Sequence, residues 1–215
     1  MRAVIFDMDG VIFDSERTVL EIWREIAAER GLAGIDGVFI RCVGTNKQAT
    51  REILHAAYPM LDFTAFDEQV RTLFFGRYGE GRLPVKKGAR EVLTELKAMG
   101  TPLALASSTR RQTVERELDE AGLLDCFSVV VGGDQVQRSK PDPEIFLIAA
   151  SLLNADPAQT FVIEDSFNGI RAARAGGFRP VMVPDMLPPD AEMREKAEVI
   201  VGDLFEAKDY IINEK

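Results

Sequence analysis

The sequence predicts an α/β fold in which a parallel β-sheet carries a helical segment inserted after its first strand. Short apolar runs recur at residues 3–6, 103–106, 129–131, 161–163, 181–183 and 199–201. Most of these runs alternate with segments of helical period, which is the pattern of a parallel sheet. The alternation fails between residues 15 and 82, where helix follows helix without a convincing strand.

The first run, residues 3–6, is rich in branched and aromatic side chains and is typical of a buried strand. Asp7, Asp9 and Gly10 follow at the point where this strand ends. Ligands of open α/β sheets bind beyond the carboxyl ends of the strands, and alternation along the chain lets the two carboxylates share a side. Taken alone, the pair also fits an ordinary turn, in which a carboxylate accepts backbone N–H groups.

Residues 15–82 are predicted to form a helical cap, and residues 1–14 and 83–215 the sheet core. The first cap helix has its apolar stripe at Val19, Trp23, Ile26 and Ala27, and later cap helices are expected at 47–58 and 65–78. The chain returns to the sheet through a glycine-rich stretch, residues 79–84, which can flex. We expect this cap to cover the carboxyl edge of the sheet.

Helices are also predicted between the later strands, at residues 89–99, 112–121, 143–153 and 170–175. Gly100, Gly122 and Gly176 follow three of them as stop signals, and Pro143 opens the remaining one. Right-handed crossovers then allow few topologies for the sheet.

Composition restricts the classes of partner. The formal net charge of −9 argues against a nucleic acid or an anionic membrane, since both require a basic face. Cys42 and Cys126 lack the spacing of a disulfide framework or a zinc site. No apolar stretch approaches the ~18 residues of a membrane span, and no signal peptide is evident. We expect a soluble, cytoplasmic, monomeric protein.

Three further polar groups follow predicted strands. Ser107, Ser108 and Thr109 come after residues 103–106, Lys140 follows the strand at 129–131 before a proline-rich helix start, and Glu164 and Asp165 come after residues 161–163. Singly, the hydroxyl and acidic groups fit helix caps, and the lysine fits a solvated loop.

Taken together, these groups predict one site at one edge of the sheet. Several carboxylates around one point repel each other unless a hard cation lies among them, and such oxygen-rich sites suit Mg²⁺. A serine, backbone N–H groups and a lysine beside that cation would hold a phosphoryl group. A small phosphorylated metabolite is therefore the expected partner.

At these residues the sequence resembles the haloacid dehalogenase (HAD) superfamily, and within it the β-phosphoglucomutase-like phosphatases and mutases that have a small helical cap. Asp7-Met8-Asp9-Gly10-Val11 is similar to the first motif of the family, Ser107 to the second, Lys140 to the third and Glu164-Asp165 to the fourth. The resemblance covers nearly the whole chain and implies a Rossmann-like core.

The resemblance implies a two-step mechanism. Asp7 would attack phosphorus, and Asp9 would protonate the leaving oxygen and then activate water. Mg²⁺ would be held by Asp7, the backbone carbonyl of Asp9 and Asp165, with Glu164 beside it or bound through water. Ser107, the Ser108 amide and Lys140 would bind the transferred phosphoryl oxygens.

Histidine chemistry separates the two activities of the subgroup. Its sugar phosphomutases have a cap histidine shortly after the first motif. At the matching positions this chain has Glu16, Arg17, Thr18 and Val19. The one histidine of the chain is His55. Hydrolysis of a small phosphomonoester is therefore the leading prediction, and a β-phosphoglucomutase-like mutase is the alternative.

Substrate choice is expected to come from the cap. The stretch Gly44-Thr45-Asn46-Lys47 opens a helix where the subgroup contacts the distal part of its substrate, and Lys47 is the predicted specificity residue. A solvated lysine at a helix start is the other interpretation of Lys47. A non-catalytic phosphoaspartate switch also joins acids, a lysine and a hydroxyl at a sheet edge, although such modules lack a large helical insertion.

Overall fold

The computed structural model describes residues 2–45 and 47–214, so that Asn46 of the predicted cap motif lies outside the described residues. The described chain contains a six-stranded, fully parallel sheet of strand order β3-β2-β1-β4-β5-β6. Its strands are β1 (Ala3–Phe6), β2 (Leu103–Ser107), β3 (Val129–Gly132), β4 (Thr160–Glu164), β5 (Arg179–Met182) and β6 (Val199–Ile200). The predicted α/β fold is confirmed.

This order makes β1 the centre of the sheet, with β2 on one side and β4 on the other. The chain moves outward from β1 in both directions, which is the arrangement that leaves a crevice at the carboxyl ends of the central strands. The residues that follow β1, β2 and β4 therefore meet at one edge.

Helices cover both faces of the sheet. They are α5 (Ala89–Ala98), α6 (Arg111–Glu120), α7 (Glu144–Leu152), α8 (Phe167–Ala175), α9 (Ala191–Lys196) and α10 (Leu204–Asn213). Alternate residues of β1 belong to different cores: Val4 and Phe6 pack with α5, α6 and α10, whereas Ile5 packs with α7 and α8. The period of two along a strand explains this division.

The described residues between β1 and α5 form four helices: α1 (Ser15–Arg30), α2 (Ile35–Cys42), α3 (Lys47–Ala57) and α4 (Phe63–Tyr78). They have a core of their own, in which the Trp23 ring contacts Phe39 and Phe66 edge-on at centroid distances of 5.0 and 5.1 Å. None of the helices in the described part of the chain combines the length and apolar character needed to cross a membrane.

The helix α2 was missed from the sequence, although Ile35, Val38, Phe39 and Cys42 are its buried residues at helical spacing. Its short length and internal Gly37 conceal the pattern. The helix α4 begins at Phe63, two residues before its predicted start at residue 65, because the Asp62 carboxylate caps it and accepts the N–H groups of Thr64 and Ala65.

The strand β5 begins two residues earlier than the apolar run, at Arg179. Pro180 suggests a strand end because it has no N–H, but its carbonyl accepts the backbone N–H of Glu198 at 2.8 Å.

The chain crosses between the sheet and the four-helix segment twice, and the two crossing segments lie side by side. Asp14 N–H donates to the Pro84 carbonyl at 2.9 Å, and Lys86 N–H donates to the Ile12 carbonyl at 2.8 Å. The two crossings are thus hydrogen-bonded to each other.

Candidate active site

Asp7 lies directly after β1, and its backbone N–H donates to the Ile163 carbonyl at 3.0 Å, so that it continues the pairing with β4. The backbone then turns sharply: the N–H groups of Ile12 and Phe13 both donate to the Met8 carbonyl. Gly10 has a φ of +79°, and a Cβ there would lie 2.3 Å from the Asp165 Oδ2. This turn places Asp7 and Asp9 at the sheet edge, and only glycine fits between it and Asp165.

Lys140 joins the ends of three strands. Its Nζ donates to Asp7 Oδ1 at 2.5 Å and to Glu164 Oε1 at 2.6 Å, and it lies 3.3 Å from the Ala106 carbonyl oxygen. The side chain is only 7% exposed and lies over the Phe146 ring at 4.8 Å. Burial alone would lower the pKa of Lys140, but the charges of Asp7 and Glu164 outweigh it and raise the pKa, so that the lysine is a permanent cation.

Glu164 is the last residue of β4 and has both carboxylate oxygens engaged. Its Oε1 accepts from Lys140, while its Oε2 accepts the N–H and the hydroxyl of Ser166, each at 2.9 Å. A Cβ at Gly169 would lie 1.8 Å from Glu164 Oε1. The carboxylate is therefore fixed from several sides, and its clearest structural effect is to hold Lys140 beside Asp7.

Three carboxylates form a compact acidic group. One oxygen from each of Asp7, Glu164 and Asp165 lies within 4.8 Å of one from each of the others, and all three residues are buried. Burial, opposed by Lys140 and reinforced by Glu164 and Asp9, raises the pKa of Asp7 to about 8. Burial, followed by the charge of Glu164, raises the pKa of Asp165 well above its usual value. Lys140 alone does not balance these acids, so the donor set fits a hard divalent cation.

Asp9 is oriented by two hydroxyl groups. The Ser15 hydroxyl donates to Asp9 Oδ1 at 2.6 Å, and the Thr109 hydroxyl donates to Oδ2 at 3.3 Å. Its carboxylate is thus held separately from the group around Asp165. The sequence placed Thr109 among the hydroxyl groups of the predicted site but indicated no contact of Thr109 or Ser15 with Asp9. The available signals were the position of Ser15 just beyond the first motif and that of Thr109 in the hydroxyl cluster.

The two serines predicted to bind phosphate differ in exposure. Ser107 ends β2 and is fully buried, with its hydroxyl accepting the Thr109 N–H at 3.0 Å. Ser108 is exposed and lines a cavity that also contains Asp7, Asp9 and Lys140.

This cavity has a volume of about 580 Å³. The sheet edge forms one wall, and the four-helix segment contributes the other, including Glu16, Val19, Trp23, Phe39, Cys42, Val43, Gly44, Thr45, Lys47, Thr50 and Phe74. Pockets of this size hold small organic ligands. Polar groups able to bind a phosphoryl group thus lie at one end and a largely apolar wall at the other.

Lys47, the predicted specificity residue, lies on this cavity but is 69% exposed. Its Nζ donates to Asp67 Oδ2 at 2.7 Å, which joins α3 to α4. The predicted nucleophile Asp7, its neighbour Asp9 and the residues Lys140, Glu164 and Asp165 are brought together, while Lys47 lies on the opposite wall.

Comparison with known proteins identifies the family of this chain. The family model of haloacid dehalogenase-like hydrolases matches residues 1–177. The phosphorylated carbohydrates phosphatase of Thermotoga maritima is 35% identical over 182 residues, which cover 84% of each chain. The bifunctional riboflavin kinase/FMN phosphatase of Arabidopsis thaliana is 31% identical over 95% of this chain, which spans only 54% of that longer protein.

Among solved structures, a HAD family hydrolase from Deinococcus radiodurans R1, with bound phosphate and sodium, superposes with a TM-score of 0.80. It is 28% identical, and the match covers 95% of this chain and 92% of the other. The family model spans most of the chain and contains the residues at the ends of β1 and β4 that form the acidic group. The protein is therefore an enzyme that belongs to the haloacid dehalogenase-like hydrolase family.

Proposed function

We propose that this enzyme is a Mg²⁺-dependent phosphatase that hydrolyses a small phosphomonoester, such as a sugar phosphate, through an aspartyl-phosphate on Asp7. The contact of Lys140 with both Asp7 and Glu164, beside the acidic group with Asp165, carries this proposal. It is supported by relatives that are named as phosphatases.

The first step forms a bond between an Asp7 carboxylate oxygen and phosphorus and breaks the bond from phosphorus to the leaving oxygen. Asp9 donates a proton to that oxygen, so the leaving group departs as a neutral alcohol. The hydroxyl groups of Ser15 and Thr109 hold the Asp9 carboxylate in place. Lys140 offsets the repulsion between Asp7 and the phosphoryl oxygens.

In the second step water attacks the phosphorus of the aspartyl-phosphate, and Asp9 accepts a proton from that water. The bond to Asp7 breaks, inorganic phosphate leaves, and both aspartates return to their initial states. One carboxyl group therefore serves as acid and then as base.

Asp7, Asp165 and the Asp9 backbone carbonyl would hold Mg²⁺, with Glu164 close by. When bound, the cation supplies positive charge that keeps the buried carboxylates ionised and neutralises the transferred phosphoryl group. Without a cation, burial raises the pKa of Asp7 and so favours its protonated form, which is a poor nucleophile.

The leaving group would lie in the cavity against the wall formed by α1 to α4, and residues 15–82 would act as the cap. Lys47 would contact the distal part of the substrate, for which it would have to share its ammonium group with Asp67. Ser107, the Ser108 amide and Lys140 would bind the phosphoryl oxygens.

The fate of the aspartyl-phosphate separates a phosphatase from a mutase. A mutase needs a second sugar hydroxyl to attack, and residues 16–19 offer no histidine to deprotonate it. His55 lies exposed on α3 and does not line the cavity. Attack by water would need only Asp9 as the base.

The test is phosphate release from a panel of phosphomonoesters, including glucose 6-phosphate and β-glucose 1-phosphate, with Mg²⁺ and with EDTA. We expect steady, Mg²⁺-dependent release. Isomerisation of the two glucose phosphates faster than release, with a trace of the bisphosphate, would favour the mutase. Stable phosphorylation without turnover would favour a phosphoaspartate switch.

A further inference from the structure

A second group of acids adjoins the proposed cation site. One oxygen from each of Glu16, Asp165 and Asp185 lies within 4.8 Å of one from each of the others. Glu16 is in the first turn of α1 and lines the cavity, and Asp185 follows β5. Asp165 therefore belongs to two acidic groups, one with Asp7 and Glu164 and one with Glu16 and Asp185.

Two oxygens of this second group have no hydrogen-bond partner. Among the described residues, the buried side-chain oxygens without a hydrogen-bond partner are Asp14 Oδ1, Glu16 Oε2 and Asp185 Oδ2. Asp14 Oδ1 nevertheless pairs with Arg17 Nε at 3.3 Å. The Asp185 side chain is only 1% exposed. A buried acceptor without a donor is unfavourable, so Glu16 Oε2 and Asp185 Oδ2 point to a donor that the polypeptide does not supply.

Two nearby protein cations already bind the other carboxylate oxygen of Asp185. Its Oδ1 accepts from Lys86 Nζ at 2.8 Å and from an Arg17 nitrogen at 3.1 Å. These two contacts neutralise the carboxylate, which makes a second metal ion on Asp185 a poor fit. They leave Oδ2 free to accept a hydrogen bond from a neutral donor.

Hydrated Mg²⁺ provides such donors, because the ion keeps several of its water molecules when it binds to one or two carboxylates. Outer carboxylates that accept hydrogen bonds from a metal's ligands fix those ligands in position. Glu16 Oε2 and Asp185 Oδ2 are acceptors of this kind beside Asp165.

We infer that Glu16 and Asp185 bind water molecules of the hydrated cation held at Asp165 and thereby act as positioning residues for that cation. The inference rests on the cation of the proposed function, but it concerns two residues that the proposed chemistry does not use. Glu16 comes from the four-helix segment and Asp185 from the loop after β5, so the water molecules would link this segment to the sheet core.

Binding of Mn²⁺ to the free chain tests this inference without any turnover, with the EPR signal of unbound Mn²⁺ as the readout. Glu16→Gln should weaken binding by about 10- to 100-fold, the usual effect of losing an outer carboxylate. Glu21→Gln is the matched control, because Glu21 is exposed on the same helix and its substitution removes the same charge. Its affinity should stay within about twofold of the parent, whereas Asp165→Asn, which removes a direct ligand, should abolish binding.

Asp185 needs a separate control, because Asp185→Asn also weakens its ion pairs. Lys86→Met removes one of these ion pairs and leaves the carboxylate intact. Asp185→Asn should weaken Mn²⁺ binding as Glu16→Gln does, and Lys86→Met should not. Equal losses in both variants would assign the effect of Asp185 to folding and overturn its role.

Thermal unfolding provides a second readout. In EDTA, Glu16→Gln should unfold at the parent's temperature or above it, since the variant loses a buried, unpaired carboxyl oxygen; added Mn²⁺ should raise its unfolding temperature less than it raises the parent's. A lower unfolding temperature in EDTA would indicate a merely structural role and overturn the inference.

Three binding results would also overturn it: an affinity in Glu16→Gln within twofold of the parent, a loss as complete as that in Asp165→Asn, and two Mn²⁺ ions per parent chain. A parent that binds no Mn²⁺ would overturn the cation of the proposed function as well. Unchanged variants of a parent that does bind Mn²⁺ would overturn this inference alone.

Discussion

The Ser15 hydroxyl donates a 2.6 Å hydrogen bond to Asp9 Oδ1, which ties the first residue of α1 to the carboxylate proposed as acid and base. Ser15 is buried. The helix α1 thus begins at the carboxylate proposed as acid and base, and any movement of its first turn would change the orientation of the Asp9 carboxylate.

Ser15→Ala should lower kcat by about 10- to 100-fold, because a hydrogen bond to a charged group contributes about 1.5–3 kcal/mol. Phosphate release at saturating substrate measures this change. Ser15→Thr keeps the hydroxyl and should recover most of the rate. A kcat of Ser15→Ala within twofold of the parent would show that Asp9 does not depend on this contact.

Asp7→Asn should abolish turnover while the chain still folds. The change removes the nucleophile with little change in volume, and the buried site tolerates a neutral group because burial already raises the pKa of Asp7 to about 8. Phosphate release and cooperative thermal unfolding are the two measurements. Activity within about tenfold of the parent, a barrier change of only ~1.4 kcal/mol, would rule out covalent catalysis at Asp7.

Lys47→Ala should raise KM for the preferred substrate more than it lowers turnover of a small aryl phosphate. The stability cost should stay below about 1 kcal/mol, since the ion pair of Lys47 with Asp67 is solvent-exposed. Asp67→Asn, which keeps the lysine and removes its partner, is the control and should not raise KM. Equal losses on both substrates would contradict a specificity role.

Gly169→Ala should impair both stability and catalysis, because the new Cβ would lie 1.8 Å from Glu164 Oε1 and displace the carboxylate that holds Lys140. Overpacking of this kind costs about 1–3 kcal/mol. Gly76→Ala is the control: Gly76 lies in α4 with open space around its Cβ position, and alanine should stabilise the helix by about 0.5–1 kcal/mol. Chemical denaturation and phosphate release measure the two effects; a Gly169→Ala variant with the parent's activity would contradict the role of Glu164.

The cation-free protein should become less stable as the pH rises from about 4 to about 8. Burial raises the pKa of Asp7 and that of Glu16 to about 8 each, so the folded chain binds more protons than the unfolded chain in this window. The stability that these protonated carboxyl groups contribute is fully present below their pKa values in the unfolded chain. It is lost as the pH rises through their pKa values in the folded chain.

Unfolding temperatures in EDTA across this pH range measure the effect, and saturating Mg²⁺ should flatten the profile because the cation favours the ionised carboxylates. A profile in EDTA that rises toward pH 8 would contradict the raised pKa values of Asp7 and Glu16.

The sequence was most informative where a buried strand ends in a chemically distinctive residue. The runs before Asp7 and Glu164 are apolar on both faces, which identifies central parallel strands, and their neighbouring positions in the sheet bring the two carboxylates together. The family resemblance was confirmed by the family model. The roles assigned to individual site residues remain predictions.

The sequence was least informative where the effect depends on distant packing. The ion pair of Lys47 with Asp67 joins residues on different helices, and no local pattern indicates it. Asp185 follows the short β5 strand after Val183 and Pro184, and its contacts with Arg17 and Lys86 arise only when the two crossings of the chain meet the sheet. Such contacts require the tertiary structure.

The paired crossings between the sheet and the four-helix segment have a consequence for how this enzyme could be altered. The backbone of Asp14 is hydrogen-bonded to that of Pro84, and the backbone of Lys86 to that of Ile12. The points at which the segment leaves and rejoins the sheet are therefore adjacent. A different helical module with closely spaced ends could be spliced between these points without a change in sheet register. The substrate selection proposed for this segment could then be exchanged as one unit, while the residues of the proposed phosphoryl chemistry stay on the strands.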